Sequence, residues 1–167
     1  MSDYGAETAA LDEVVRSLEP RLSRLAGQRV DVVLVLRDTT PVRAGSAQLE
    51  EMVVNLVANA RDAMPEGGLV SIRTYPTTIS AGARPQRLGI PAGEYVALVV
   101  ADNGAGMDES VRARAFDPSF TTKRNAAGLG LTAVDRLARG LGGAVELQSS
   151  PGGGTTVRIL LPVAAVG

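Results

Sequence analysis

The sequence predicts an α+β fold, an α/β sandwich in which a mixed sheet of about five strands carries a layer of helices on one face. Some stretches repeat apolar residues at helical spacing, whereas others are β-branched or almost continuously apolar, as strands are. Strand–helix–strand alternations are too few for a doubly wound parallel sheet. The 167 residues suit one domain, with its core over about residues 9–163.

The expected elements follow from apolar periodicity and from the positions of glycine and proline. Helices are expected over Ala9–Leu25, which Pro20 can kink, over Ser46–Met64 with Ser46 as N-cap, over Asp108–Ala115 with Asp108 as N-cap, and over Leu129–Leu141. Strands are expected over Val30–Leu36, Val70–Tyr75, Tyr95–Ala101, Ala144–Ser149 and Thr155–Pro162, the last two as a hairpin. Residues 76–93 contain three prolines and three glycines and are expected to form a long surface loop.

Composition excludes several classes of function. The chain has no cysteine, which rules out disulfides and thiolate metal sites. It has no histidine, which rules out Ser-His-Asp catalysis, histidine metal ligands and a phosphohistidine of its own. No stretch reaches the ~18 apolar residues of a membrane span, and no signal peptide is expected. The net charge of −1 provides no basic field for nucleic acid, so any bound polyanion must be held by local groups.

A polar stripe runs along the second helix. Glu51, Asn55, Asn59 and Asp62 recur at i, i+4, i+8 and i+11, beside an apolar arc that faces the core. A solvated helix face is the alternative interpretation, and it is the usual one for a single asparagine. Asparagine is a mediocre helix former, however, and two of them one turn apart favour a function. Side-chain oxygens of this kind suit Mg²⁺, which needs few protein ligands when nucleotide phosphates supply the rest.

A second polar block follows the apolar strand that ends near Ala101. It reads Asp102-Asn103-Gly104-Ala105-Gly106-Met107, and the two glycines permit positive φ and close approach of the backbone to a ligand. A tight turn is the alternative interpretation. A carboxylate at the mouth of a core needs a donor, and the exocyclic amino group of a purine supplies one. Met107 suits the covering of a base or ordinary core filling.

A third region begins with a loop that holds both phenylalanines of the chain, Phe116 and Phe120, and ends with a short glycine-containing block. This placement predicts a mobile lid whose aromatic side chains clamp onto the body of the domain, with Lys123 supplying a charge for phosphate. Gly128-Leu129-Gly130-Leu131 then opens a helix, whose free N–H groups favour anions. A simple helix start explains this last block as well.

Together these blocks resemble the catalytic and ATP-binding domain of sensor histidine kinases, most closely the nitrogen-regulation type. The wider group is that of Bergerat-fold (GHKL) ATPases, which includes type II topoisomerases and heat-shock chaperone ATPases. The resemblance extends from about Leu11 to Pro162. The motifs that carry it are Asn55–Gly68 (N box), Asp102–Met107, Phe116–Lys123 (F box), Gly128–Leu131 and Ser150–Thr155.

The resemblance implies a role for each motif. Asn59, helped by Asn55, would coordinate Mg²⁺, Asp102 would bind the adenine amino group with Thr155 beside it, and residues 116–128 would form the ATP lid. It implies Asn59 and Lys123 as catalytic residues. The nucleotide-binding residues that it implies are Asn55, Asn59, Asp62, Asp102, Gly104, Gly106, Met107, Thr122, Lys123, Gly128, Leu129, Gly130, Leu131 and Thr155.

The resemblance also implies the reaction and its partners. The domain would present the γ-phosphoryl group of Mg·ATP to a histidine on a separate dimerisation domain, with a response regulator downstream. It would be a bacterial cytoplasmic domain, monomeric, without nucleic-acid or direct membrane contact, in a parent protein that can be membrane-anchored. Two alternatives stay open: a serine kinase of the anti-sigma-factor type, and a nucleotide-binding module without transfer activity. Ala126 and Ala127 depart from the family, which usually shows Gly and Thr there.

Overall fold

The computed structural model describes residues 7–37, 40–81, 89–116 and 130–164. In chain order the strands are β1 (Ala9–Ala10), β2 (Val30–Leu36), β3 (Pro41–Val42), β4 (Gly68–Ile79), β5 (Gly93–Asp102), β6 (Ala144–Ser149) and β7 (Thr155–Pro162). The helices are α1 (Leu11–Ala26), α2 (Ser46–Asp62), α3 (Glu109–Ala113) and α4 (Gly130–Gly140).

Five strands form the main sheet in the order β2-β4-β5-β7-β6. The β2–β4 pair is parallel and the other three pairs are antiparallel, so the sheet is mixed, as predicted. The start of β4, the end of β5, the start of β7 and the end of β6 therefore lie along one edge of the sheet. This edge carries the loops in which the polar blocks of the sequence occur.

The main core lies between the sheet and the layer formed by α1, α2 and α4. Apolar side chains of all three helices meet those of alternate residues on the strands, including Val70, Leu98 and Ile159, which are fully buried. A smaller apolar cluster with Tyr95 and Leu160 covers part of the opposite face. Because β5 is buried on both faces, its sequence is almost continuously apolar.

The predicted fold is confirmed, and three local expectations are wrong. The first helix starts at Leu11, because Ala9–Ala10 instead pair with Pro41–Val42 in a two-stranded ribbon that the sequence did not signal. Ser46 is the first helical residue of α2 rather than its N-cap, since Gly45 precedes the helix and its N–H donates to Oε1 of Gln48 over 3.0 Å. Pro20 lies inside α1 without ending it.

The third difference concerns the predicted loop over residues 76–93. β4 continues through Ile79 and pairs with the beginning of β5, so the loop is shorter than expected. Pro76 is tolerated in this strand because β2 ends opposite Thr74. No β2 residue lies opposite Pro76, so the missing N–H of the proline breaks no hydrogen bond to β2. Asp108 caps α3 as predicted, with Oδ1 accepting the N–H of Val111 over 2.9 Å.

Candidate nucleotide site

Three side chains form a polar row along the shared edge of the sheet. Asp102 on β5 lies directly opposite Thr155 on β7, and Thr155 lies directly opposite Ser149 on β6. Cross-strand partners point to the same face of a sheet. Since Val100 and Val157, two residues away on their strands, point into the core beneath the helices, the polar row also faces the helix layer. It ends the apolar core with one carboxylate and two hydroxyls.

Asp102 is held by the backbone of both neighbouring loops. Its Oδ1 accepts the N–H of Gly104 over 2.9 Å and the N–H of Thr155 over 3.3 Å. Within the described ranges no hydrogen bond reaches Oδ2. Burial raises the pKa of this carboxyl above its ordinary value, and the two backbone hydrogen bonds offset part of the rise. The group is thus fixed through one oxygen, and the other can accept from a ligand.

The last turn of α2 lies against the loop that follows Asp102. The carbonyl oxygen of Ala63 accepts the N–H of Ala105 over 3.3 Å. The N–H of Ala63 itself donates to the carbonyl oxygen of Asn59 over 3.1 Å. Asn59 therefore lies one helical turn before the residue that contacts the Asp102 loop. The structure thus brings the predicted metal-binding helix next to the predicted base-binding edge.

The glycines of the two loops serve contacts between loops. Gly106 has a φ of +70° and Gly154 a φ of +74°. A Cβ on Gly106 would overlap the carbonyl oxygen of Ser150, and one on Gly154 would overlap that of Asp102. Positive φ is thus confirmed at Gly106. Gly104 does not have a positive φ, and it instead allows a close backbone approach, since a Cβ there would meet the carbonyl oxygen of Ala63 at 2.6 Å.

The polar stripe of α2 is half-buried at Asn55, Asn59 and Asp62. The side-chain nitrogen Nδ2 of Asn59 is shielded from solvent. Asp62 is paired with its neighbour Arg61, whose guanidinium approaches Oδ1 at 3.0 Å and also donates to the carbonyl oxygen of Leu25 over 3.4 Å. Asp62 thus holds Arg61 against the end of α1, a contact that the sequence did not indicate.

Much of the predicted lid lies outside the described residues. Thr122, Lys123, Gly128 and Leu129 fall there, as do Phe120, Ala126 and Ala127. Gly130 begins α4, and Leu131 packs against the main core. The buried Thr132 donates from Oγ1 to the carbonyl oxygen of Phe116 over 3.3 Å, which ties together the two ends of the segment.

Two further residues of the site were missed at the level of sequence. Ser149 accepts the N–H of Met107 at its Oγ over 2.8 Å. Asn103 accepts the N–H of Leu69 at its Oδ1 over 2.9 Å, which joins the Asp102 loop to the start of β4. The alternation of Val145, Leu147 and Ser149 in a predicted strand places Ser149 on the core side, and this signal could have identified it.

The donor set suits a hard cation that is bound together with a ligand. In the described ranges no group of three or more histidine, cysteine, aspartate or glutamate side chains could hold a metal alone. The α2 stripe offers amide oxygens of Asn55 and Asn59, one turn apart. Mg²⁺ prefers oxygen ligands and is commonly held by one or two protein groups plus phosphates, so these residues fit it.

Among the described residues, none of the helices combines the length and the hydrophobicity that a membrane-spanning helix requires.

Comparison with known proteins gives consistent matches. Residues 44–165 match the family model described as histidine kinase-, DNA gyrase B-, and HSP90-like ATPase. The chain is 38% identical over 159 residues to the sensor kinase CckA of Brucella abortus (strain 2308), covering 93% of this chain and 17% of that protein. It is 34% identical over 128 residues to the sensory histidine kinase/phosphatase NtrB of Azospirillum brasilense, covering 74% of this chain and 30% of that protein.

Solved structures show the same fold. The mycobacterial sensor histidine kinase MprB superposes with a TM-score of 0.73 at 24% identity, covering 96% of this chain and 100% of that chain. The curated relatives are much longer than this chain, which spans less than a third of each of the two named above.

Proposed function

This chain belongs to the family of histidine kinase-, DNA gyrase B- and HSP90-like ATPase domains, and on that premise we propose that it binds Mg·ATP and delivers the γ-phosphoryl group to a histidine on a separate dimerisation domain. The observation that carries the proposal is Asp102, fixed through Oδ1 by two backbone N–H groups at the edge of the core. The relatives named above are sensor kinases, which supports protein histidine as the acceptor.

The base-binding half of the proposal depends on hydrogen-bond polarity. A carboxylate oxygen can only accept, so the free side of Asp102 matches an amino group and opposes a carbonyl. The adenine amino group is such a donor, whereas guanine carries a carbonyl at the same ring position. Met107, with its backbone fixed by Ser149, is placed in the loop beside Asp102, where its side chain can cover the base.

The phosphate-binding half uses α2 and the segment before α4. Asn59, with Asn55, would hold Mg²⁺, which neutralises the charge of the phosphates. Lys123 and Thr122 would contact the phosphates from the lid. The stretch Gly128–Leu131 would offer backbone N–H groups at the start of α4, a position that favours anions. The net charge of −1 makes such local groups necessary.

Transfer to a protein is favoured over hydrolysis by the chemistry of Asn55. Many relatives that hydrolyse ATP carry a glutamate there as a base for water, and an amide cannot act as a base. Because the chain contains no histidine, the acceptor must lie on another domain of the parent protein or on another chain. A response regulator would then take the phosphoryl group. We place this reaction in the bacterial cytoplasm, with the domain as a monomer.

The direct test mixes the chain with γ-labelled ATP, Mg²⁺ and purified histidine-bearing dimerisation domains of sensor kinases. We expect an acid-labile, base-stable label on the added domain, absent when its histidine is replaced by alanine. The Asn59→Ala variant of this chain, which lacks the amide proposed to hold Mg²⁺, serves as the inactive control. An acid-stable label on a serine would favour the anti-sigma-factor type of kinase. Tight ATP binding without transfer to any acceptor would leave a binding module and contradict the kinase assignment.

A further inference from the structure

The hydroxyl of Ser149, at the β6 end of the polar row, contacts three other groups. Its Oγ accepts the N–H of Met107 over 2.8 Å and donates to the carbonyl oxygen of Gly154 over 3.0 Å. It also lies 2.8 Å from Oγ1 of Thr155. All of these contacts are partly buried.

The directions of these hydrogen bonds follow from the chemistry of the groups. A backbone N–H can only donate and a carbonyl oxygen can only accept, and a serine hydroxyl has a single hydrogen. That hydrogen is used on Gly154, so the contact with Thr155 requires the Thr155 hydroxyl to donate to Ser149. Ser149 therefore makes one donated and two accepted hydrogen bonds, which is its full capacity.

These hydrogen bonds determine the orientation of the Thr155 hydroxyl. Its only hydroxyl hydrogen points along the row toward β6, away from Asp102 on the other side. What Thr155 presents beside Asp102 is therefore a pair of acceptor lone pairs. The polar row therefore presents two adjacent acceptors to a ligand, the Asp102 carboxylate oxygen and the Thr155 hydroxyl oxygen. It presents no side-chain donor.

We propose that Ser149 is a positioning residue that sets base specificity, because it holds the Thr155 hydroxyl as an acceptor next to Asp102. This inference rests on the proposed nucleotide binding. A base with an amino group at this position satisfies both acceptors, whereas a base with a carbonyl opposes both. Without Ser149 the Thr155 hydroxyl can rotate and donate to a carbonyl, so discrimination between the two bases weakens.

The test compares ATP with inosine triphosphate, which replaces the amino group of adenine with a carbonyl and leaves the triphosphate unchanged. Both affinities are measured by calorimetry with Mg²⁺ for the unmodified chain, Ser149→Ala, Ser149→Thr and the control Gln148→Ala, whose side chain is exposed. In Ser149→Ala we expect the preference for ATP to fall about two- to tenfold, the size of one neutral hydrogen bond. Ser149→Thr restores the hydroxyl and the preference, and Gln148→Ala keeps it.

A purely structural role gives a different result. Because Ser149 also holds Met107, a loosened loop would weaken both nucleotides equally and leave their ratio unchanged, and that outcome overturns the inference. The proposed function fails separately: in that case the unmodified chain binds neither nucleotide. If the unmodified chain prefers ATP and Ser149→Ala retains the full preference, only the role of Ser149 is wrong.

Discussion

Thr155 and Asp102 are directly opposed residues of two antiparallel strands, and the backbone N–H of Thr155 donates to Oδ1 of the Asp102 carboxylate over 3.3 Å. The glycine-rich hairpin before β7 is thereby attached to the end of β5. The same oxygen accepts from Gly104 within its own loop. The orientation of the carboxylate is thus set by backbone from two sides before any ligand arrives.

This arrangement predicts how Asp102→Asn changes base preference. The two backbone donors require an acceptor at the Oδ1 position, so the new side chain places its oxygen there and turns its NH₂ group to the cleft. We expect ATP affinity to fall at least about tenfold, since a donor then faces the adenine amino group. Inosine triphosphate should lose much less, and calorimetry with both nucleotides measures the difference.

Asp31→Asn is the matched control, because Asp31 is an exposed carboxylate on the edge strand β2. It should leave both affinities unchanged. Unaltered ATP binding by the Asp102 variant would show that this carboxylate does not contact the base.

The raised pKa of Asp102 predicts an acid limit to nucleotide binding. Burial disfavours the charged carboxylate, so protonation on acidification begins at a higher pH than for an ordinary aspartate. The protonated group no longer offers two acceptors, and ATP affinity should decrease as the pH falls through this pKa. The sign for stability is opposite: because folding raises the pKa, the folded state gains relative stability as the pH falls through the same range.

Titrations of ATP affinity against pH check this prediction, with the Asp102→Asn variant as reference. The reference removes contributions from the phosphates of the nucleotide, which titrate in both proteins. An identical pH profile for the two proteins would contradict the role of the Asp102 charge.

Asn59→Ala is expected to abolish the Mg²⁺-dependent part of nucleotide binding and leave the fold intact. The amide lies half-buried on the face of α2 next to the Asp102 loop, where its oxygen can serve a hard cation. The measurement is ATP affinity with Mg²⁺ and with EDTA, together with circular dichroism. Glu51→Ala removes an exposed group of the same stripe and should have no effect. Equal dependence on Mg²⁺ in Asn59→Ala and in the unmodified chain would remove the metal role from Asn59.

Alanine substitutions at Gly152 and Gly154, in the hairpin between β6 and β7, distinguish the cost of backbone strain from the cost of a lost contact between loops. Gly152 and Gly154 have nearly the same φ, +75° and +74°, so alanine costs a similar strain of about 1–2 kcal/mol at each. Only Gly154 is packed against the carbonyl of Asp102, whereas a Cβ on Gly152 meets nothing within 4 Å. Gly154→Ala should therefore lower the free energy of unfolding well beyond Gly152→Ala and weaken ATP binding. Chemical denaturation of both variants tests this, and equal losses would contradict it.

The sequence predicts the sheet and its polar loops well, because the alternation of apolar and polar residues and the positions of glycine and proline are strong signals there. The bounds of β2, β6 and β7 are those expected from their patterns. The ribbon of Ala9–Ala10 with Pro41–Val42 was missed because two-residue strands have no periodicity to detect. The end of β4 was missed because the proline and glycine density after Tyr75 indicated a loop, whereas the absence of a β2 partner there removes the cost of Pro76.

The site was predictable in its residue types and less so in its contacts. Asp102 and Thr155 belong to sequence blocks that are far apart, and their register across two strands makes them neighbours. Ser149 was overlooked because a serine at a strand end is usually solvated, and its role depends on the hydroxyl of the residue opposite. The glycines of the loops are explained by loop-to-loop packing, which a local pattern does not reveal.

We infer that the polar row at the end of β5 selects the amino group of adenine. A calorimetric titration of the unmodified chain with Mg·ATP and with Mg·GTP at neutral pH measures this selectivity without any substitution. We expect binding of ATP and an affinity for GTP at least about tenfold lower, because a carbonyl facing Asp102 leaves half-buried acceptors unpaired. Equal affinities for the two nucleotides, or no binding of ATP, would contradict it.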